Sequence, residues 1–313
     1  MAGGFVWDPA GADRGLAQAA MELKALRGGL ARTAMQECRG DYPLRAHRSL
    51  VLASIAAATD QAETWLEEDP RSPDAKLLYA RVAMVRALRS REAGDGRENS
   101  LSLLAWRAGI TAIEADPRDP TPWAALLAVA RFRPDVNRAY PYGRTAPPEG
   151  LDAQGPWDLL TEAHARQPWH RESYHRMLAY FYRRNGGDSD GLLQVTHWAA
   201  TVSPPESDAQ LLPLLAQAEL ARSGTANIGQ EQATYTADRL FASWFPGTGK
   251  LSFPPIADLS LLAHALDRGG RTAEAGAVLG YMKPYATSFP WSLDGDPARV
   301  LAGAYARSRI RPP

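Results

Sequence analysis

What this 313-residue sequence lacks narrows its function more than any motif it carries. It holds a single cysteine, Cys38, which excludes an internal disulfide and any multi-cysteine metal site. No run approaches the eighteen or so uninterrupted apolar residues that cross a bilayer, so no membrane partner is expected. The opening Met1-Ala-Gly-Gly-Phe-Val-Trp-Asp-Pro9 has neither the basic stretch nor the apolar stretch of a secretory leader. A reducing, cytoplasmic location is the expectation. Lys+Arg and Asp+Glu both number 35, so the formal net charge is zero. Nucleic-acid binders draw affinity from clustered cations that neutralise phosphates, and no nucleic-acid partner is expected here. His-Glu-x-x-His, Gly-x-Ser-x-Gly and the dinucleotide fingerprint are all absent. Phe245-Pro-Gly-Thr-Gly-Lys250 has only the outline of a phosphate loop. It lacks the spacing between glycines, the following Ser/Thr and a preceding strand, and reads as a helix-ending turn.

What is present is a phrase repeated at helix ends. It occurs as Trp65-Leu-Glu-Glu-Asp-Pro70-Arg-Ser-Pro73, as Ile113-Glu-Ala-Asp-Pro117-Arg-Asp-Pro120 and as Ala163-His-Ala-Arg-Gln-Pro168. Proline cannot continue a helix but suits the first turn of the next one. Strand-like alternation is missing, whereas 3.6-residue periodicity is common: Tyr174, Met177, Leu178, Phe181 and Tyr182 form one stripe. The pattern predicts helical hairpins pairing 12–26 with 29–39, 44–57 with 59–68, 73–92 with 99–115, and 121–132 with 156–166. It continues with 171–184 and 189–202, 207–222 and 229–245, and 256–267 and 272–285, closed by a helix at 297–308. Asn185-Gly-Gly is expected to stop the helix before it. The expected fold is therefore all-α, one domain over 1–313 with about six or seven hairpins and a C-terminal cap. A Pro/Gly-rich insertion at 133–156 interrupts it, and loops of that length are often functional.

Ala112 to Ala130 resembles the junction of two tetratricopeptide repeats, through Asp116-Pro117, Trp123 six residues later and Leu126 beyond. Leu266-Asp-Arg-Gly-Gly-Arg-Thr-Ala-Glu-Ala275 resembles the turn between that family's helices, with Ala275 as the small packing residue. At the Pro70 and Pro168 junctions, Lys76 and Tyr174 stand in the tryptophan's place. The chain also resembles a group of actinobacterial tetratricopeptide-like proteins of unassigned function. Pro168-Trp-His-Arg-Glu-Ser-Tyr-His-Arg-Met-Leu178 and Pro284-Tyr-Ala-Thr-Ser-Phe-Pro-Trp-Ser-Leu-Asp-Gly-Asp-Pro297 carry that likeness. The resemblance implies a superhelix whose first helices line a concave groove. Carried over position by position, the groove receives Asp74, Leu77, Arg81, Met84 and Val85, then Thr121, Ala124, Ala128, Arg131 and Phe132. Glu172, His175, Ala179, Tyr182 and Arg183 follow, while Pro213 departs from the pattern in the next helix.

The histidine cluster of Glu162, His164, His170, Glu172, His175 and His197 is the sharpest chemical feature. Glu172 and His175 have the i, i+3 spacing of helical ligands, but the remainder fit no metal motif, so no metal and no cofactor are expected. Cys38 reads as a packed thiol. Residues Arg81, Arg131, Glu172, His175, Tyr182 and Arg183 are the expected groove contacts. The leading expectation is a module binding a protein or peptide in that groove. The alternative is an enzyme or small-molecule binder of a specialised biosynthetic pathway, with its pocket near Glu172 and His175.

Overall fold

The computed structural model describes every residue except 1–3, 133–145, 183–184, 225–229, 249–252 and 254. Arg183 and residues 133–145, the first part of the expected 133–156 loop, thus lie outside the described residues. Among those described there are sixteen α-helices and no strand. The residues form two compact units, 14–191 and a second made of 1–13 with 192–313.

The first unit holds α1 (Arg14–Lys24), α2 (Gly29–Glu37), α3 (Tyr42–Ala56), α4 (Gln61–Glu68), α5 (Pro73–Ala93), α6 (Glu98–Ala115) and α7 (Thr121–Val129). It ends with α8 (Trp157–Arg166), α9 (Arg171–Tyr180) and the start of α10 (Ser189–Val202). Proline sits in the first turn of α3, α5 and α7, where its missing N–H costs nothing. Ser72 adds an N-cap to α5, its hydroxyl accepting from the Ala75 N–H at 3.2 Å. Alternate helices pack in succession: α1 on α3, α3 on α5, α5 on α7 and α7 on α9, with α3 also touching α7 and α9. Cys38 is buried and its Sγ–H donates to the Met35 carbonyl at 3.1 Å, while burial pushes the thiol pKa up.

α9 stops at Tyr180, short of the expected 184. Asn185 does end it, but from beyond the last turn. Its Nδ2 reaches back to the Ala179 carbonyl at 2.8 Å, and the N–H groups of Asn185 and Gly187 both take the Tyr182 carbonyl. Gly186 adopts φ +81°, and Gly187 passes so close to Phe181 that a Cβ would lie 2.3 Å from its carbonyl carbon.

The second unit continues with α11 (Leu212–Arg222), α12 (Gln230–Ser243), α13 (Phe245–Thr248), α14 (Ile256–Arg268), α15 (Thr272–Met282) and α16 (Pro297–Arg307). Pro213 opens α11 as its second residue, after a 3-10 turn at Asp208–Leu211. Trp244, Trp291 and Tyr305 are sealed in its core with Leu259, Leu262, Leu266 and Ala275. The described part of the Phe245–Lys250 run is α13, a four-residue helix, and Lys250 lies outside the described residues. Val6 zips onto the segment before α16: its N–H donates to Pro284 and its carbonyl accepts from Ala286.

Gly187→Ala is expected to cost about 2 kcal/mol or more, because the new Cβ meets backbone that cannot yield. Gly280→Ala, in α15 with open space around its Cα, is expected to stabilise by about 0.5–1 kcal/mol. Denaturant titration of both variants compares the two.

Candidate functional site

A row of buried charged pairs joins the helices of the first unit. Arg45 on α3 donates from Nε to Asp119 Oδ2 at 2.6 Å and from Nη1 to Asp74 Oδ1 at 2.7 Å. All three residues are buried. Arg39, at the rim, takes the other Asp74 oxygen. Burial opposes the charge on Arg45, but Asp119 and Asp74 outweigh it and raise the guanidinium pKa above its usual value. Farther along, Arg81 Nη2 donates to Glu172 Oε2 at 2.6 Å, and Arg176 forks onto Glu172 Oε1 at 3.1 Å. Burial would raise the Glu172 carboxyl, yet Arg81 and Arg176 prevail and hold it at about 2.

Two of the expected groove residues are engaged in these pairs. Arg81 and Glu172 do meet, but Arg81 is 0% exposed and Glu172 7%, each consumed by the other. Asp74, Leu77, Met84, Val85, Thr121, Ala124 and Tyr182 are buried as well. Three carboxylates, Asp74, Asp119 and Glu172, and two arginines, Arg45 and Arg81, are buried in these pairs, and removing any one partner would strand a buried charge at a cost of about 3–5 kcal/mol. Arg81 and Glu172 therefore face each other between α5 and α9. Arg131 lies apart, stacking 4.8 Å from the Tyr180 ring and donating to the carbonyls of Asn185 and Gly186. It braces the turn after α9. His175 is half-buried on α9.

The other histidines divide by environment. His164 Nδ1 accepts from the Tyr174 hydroxyl at 2.7 Å, and its ring packs edge-on against Trp169, which is held at φ +59°. His164 thus contacts Tyr174, the residue before His175. His170 precedes α9, is 2% exposed, and pairs through Nδ1 with Ser173 Oγ at 2.8 Å. Its Nε2, Arg81 Nε and Thr121 Oγ1 are buried without a partner among the described residues. Burial pulls the His170 pKa down to about 4. No group of three or more His, Cys, Asp or Glu side chains is placed to hold a metal among the described residues.

Among the described residues of this unit, the large exposed apolar side chains stand on its first hairpin. Met21 is 64% exposed, Leu26 59% and Leu30 39%. Leu26 also holds φ +61°, a backbone state that leucine rarely adopts. The sequence pattern did not single out these residues. The hairpin packs on α3 and, through α2, on α5.

The titrations set a pH window. His170 binds its proton less readily folded, at about 4, than its ordinary value near 6.5, so stability is full above 6.5 and falls as pH drops towards 4. The loss is on the order of 2–3 kcal/mol. Glu172, near 4.5 unfolded and about 2 folded, adds a further loss below pH 4.5. Thermal unfolding followed by circular dichroism is expected to show the first decline in the native chain, and a flatter curve between pH 6.5 and 4.5 in His170→Gln.

No family model and no curated protein matches the sequence.

Proposed function

We propose that this protein is a helical-repeat interaction module, tetratricopeptide-like in architecture and cytoplasmic, that binds a protein partner. The observation that carries the reading is the unbroken succession of alternate helices, α1, α3, α5, α7 and α9, each packed on the next. Such succession builds extended surfaces from modest units, and extended surfaces suit recognition more than catalysis. The charged groups of the row support the same reading, because Arg45, Arg81, Asp74, Asp119 and Glu172 are spent on each other. A general acid or base needs a free position facing substrate.

The partner meets the outer side of the array. Met21, Leu26 and Leu30 offer an apolar contact flanked by Lys24, with Arg27 tied to Glu22 and Arg32 tied to Glu68 at its edges. An amphipathic segment whose apolar face covers these side chains fits that chemistry. The buried thiol of Cys38 suits a reducing compartment.

The test is capture from native lysate, comparing the wild type with Met21→Glu/Leu30→Glu, both exposed positions that spare the core. A protein held by the wild type and reduced at least about tenfold in the variant is expected. Capture of no protein, or equal capture by both, would contradict the proposal.

A further inference from the structure

One stretch of the second unit lies outside its helices and reaches them from far along the chain. Residues 1–13 belong to this unit in space, although the rest of it begins at 192. Val6 forms a parallel bridge with Tyr285. Its N–H donates to the Pro284 carbonyl at 2.9 Å, and its own carbonyl accepts from the Ala286 N–H at 3.0 Å. Phe5 packs on the core of the unit, its ring 5.4 Å from that of Tyr305, which is 0% exposed. Trp7 stands edge-on to Phe5 at 6.1 Å and keeps 40% of its surface exposed.

Proteins take up extended peptides in this way: one residue pairs both backbone groups as an added strand, and a neighbouring side chain fills an apolar site. The Val6 bonds demand only an N–H at that position, whereas Phe5 demands an aromatic ring just before it. The receiving surface is held by contacts of its own. The Tyr305 hydroxyl donates to the Leu279 carbonyl at 2.9 Å, and Leu262, Leu266, Leu279 and Leu301 fill the core with it. The segment, by contrast, is lightly held. Val6 is 37% exposed, and among the described residues its two bonds are the backbone bonds that tie 5–8 to anything beyond residue 13. Behind it a separate turn keeps its own shape. There Asp8 Oδ1 accepts from the Ala10 N–H at 2.9 Å, and the Asp8 carbonyl accepts from the Gly11 N–H at 2.9 Å. A stretch with few buried contacts opens locally well below the cost of unfolding the core.

We propose that the surface formed by residues 284–286 and Tyr305 is a recognition site for an extended peptide of aromatic–aliphatic–aromatic pattern, kept covered by the chain's own Phe5-Val6-Trp7. A protein segment presenting that pattern pairs with the Pro284 carbonyl and the Ala286 N–H once the strap lifts. The attached strap competes at an effective concentration on the order of 1 mM. It thereby sets a threshold, and only segments that outbid it hold the site.

Fluorescence anisotropy of a labelled peptide of residues 4–10, titrated with the full chain, tests this. Phe5→Ala/Val6→Pro, which removes the ring and the N–H that hold the strap, is expected to bind the peptide saturably. The wild type should bind it at least about tenfold more weakly, because its site is covered. The same peptide carrying Val6→Pro should bind neither, since it has no N–H to donate to Pro284. No saturable binding by the variant, equal binding by wild type and variant, or equal binding of the two peptides would overturn the proposal. Hydrogen exchange of the unaltered chain decides the matter should the variant lose helix by circular dichroism. The Ala286 N–H, bonded to Val6, is expected to exchange at least about a hundredfold faster than the amides at the centres of α14 and α15. Exchange at the rate of those amides would mean a strap that opens only with the fold, and would equally overturn the proposal. Neither result bears on the Met21 and Leu30 surface, which belongs to the other unit.

Discussion

Taking the Arg45 guanidinium out of water costs several kcal/mol, and the first unit is organised around meeting that cost. Asp74 and Asp119 come from different places in the chain, the start of α5 and the turn before α7, and both close on Arg45. The same logic recurs at Arg81, where Glu172 arrives from α9. Each pair joins helices that hydrophobic packing alone would allow to slide. Charged pairs of fixed geometry tolerate only one register, so they choose among the arrangements that an alanine-rich core would accept. Alanines such as Ala46, Ala75, Ala80 and Ala124 fill the space between, small enough for the helices to approach closely.

That closure leaves Arg45, Arg81, Asp74, Asp119 and Glu172 engaged with one another, while the exposed apolar side chains of Met21, Leu26 and Leu30 stand apart from them on the first hairpin.

Local physics made the helices legible. Proline in the first turn and Ser72 or Asp296 at the cap announce where a helix begins, and these signals operate within four residues. The expected helix bounds match α1 to α9 to within about four residues, although α4 packs on α5 far more than on its expected partner α3, and even Pro213, which departs from the repeat pattern, proves to open α11. Helix ends were harder to read. α9 stops early because Asn185 reaches back from outside the helix, an arrangement that periodicity cannot register. Burial of the site residues was not legible at all. Arg81 and Glu172 are 91 positions apart, and nothing near either one states that the other neutralises it. Repeat geometry gave both as groove residues, but did not say that they close on each other. The role of Arg131 was hidden likewise, since its partners are backbone carbonyls more than fifty residues away.

The central claim is that Arg81 and Glu172 form a desolvated pair within a closed row. A double-mutant cycle with Arg81→Met, Glu172→Leu and the combined variant, read by denaturant unfolding, addresses it most directly. The account predicts that Arg81→Met alone costs about 3–5 kcal/mol, because it strands a buried carboxylate. The combined variant should be clearly less damaged than the sum of the two single changes. Single changes within about 1 kcal/mol of wild type, with no coupling between them, would mark an exposed pair in an open groove and contradict the account.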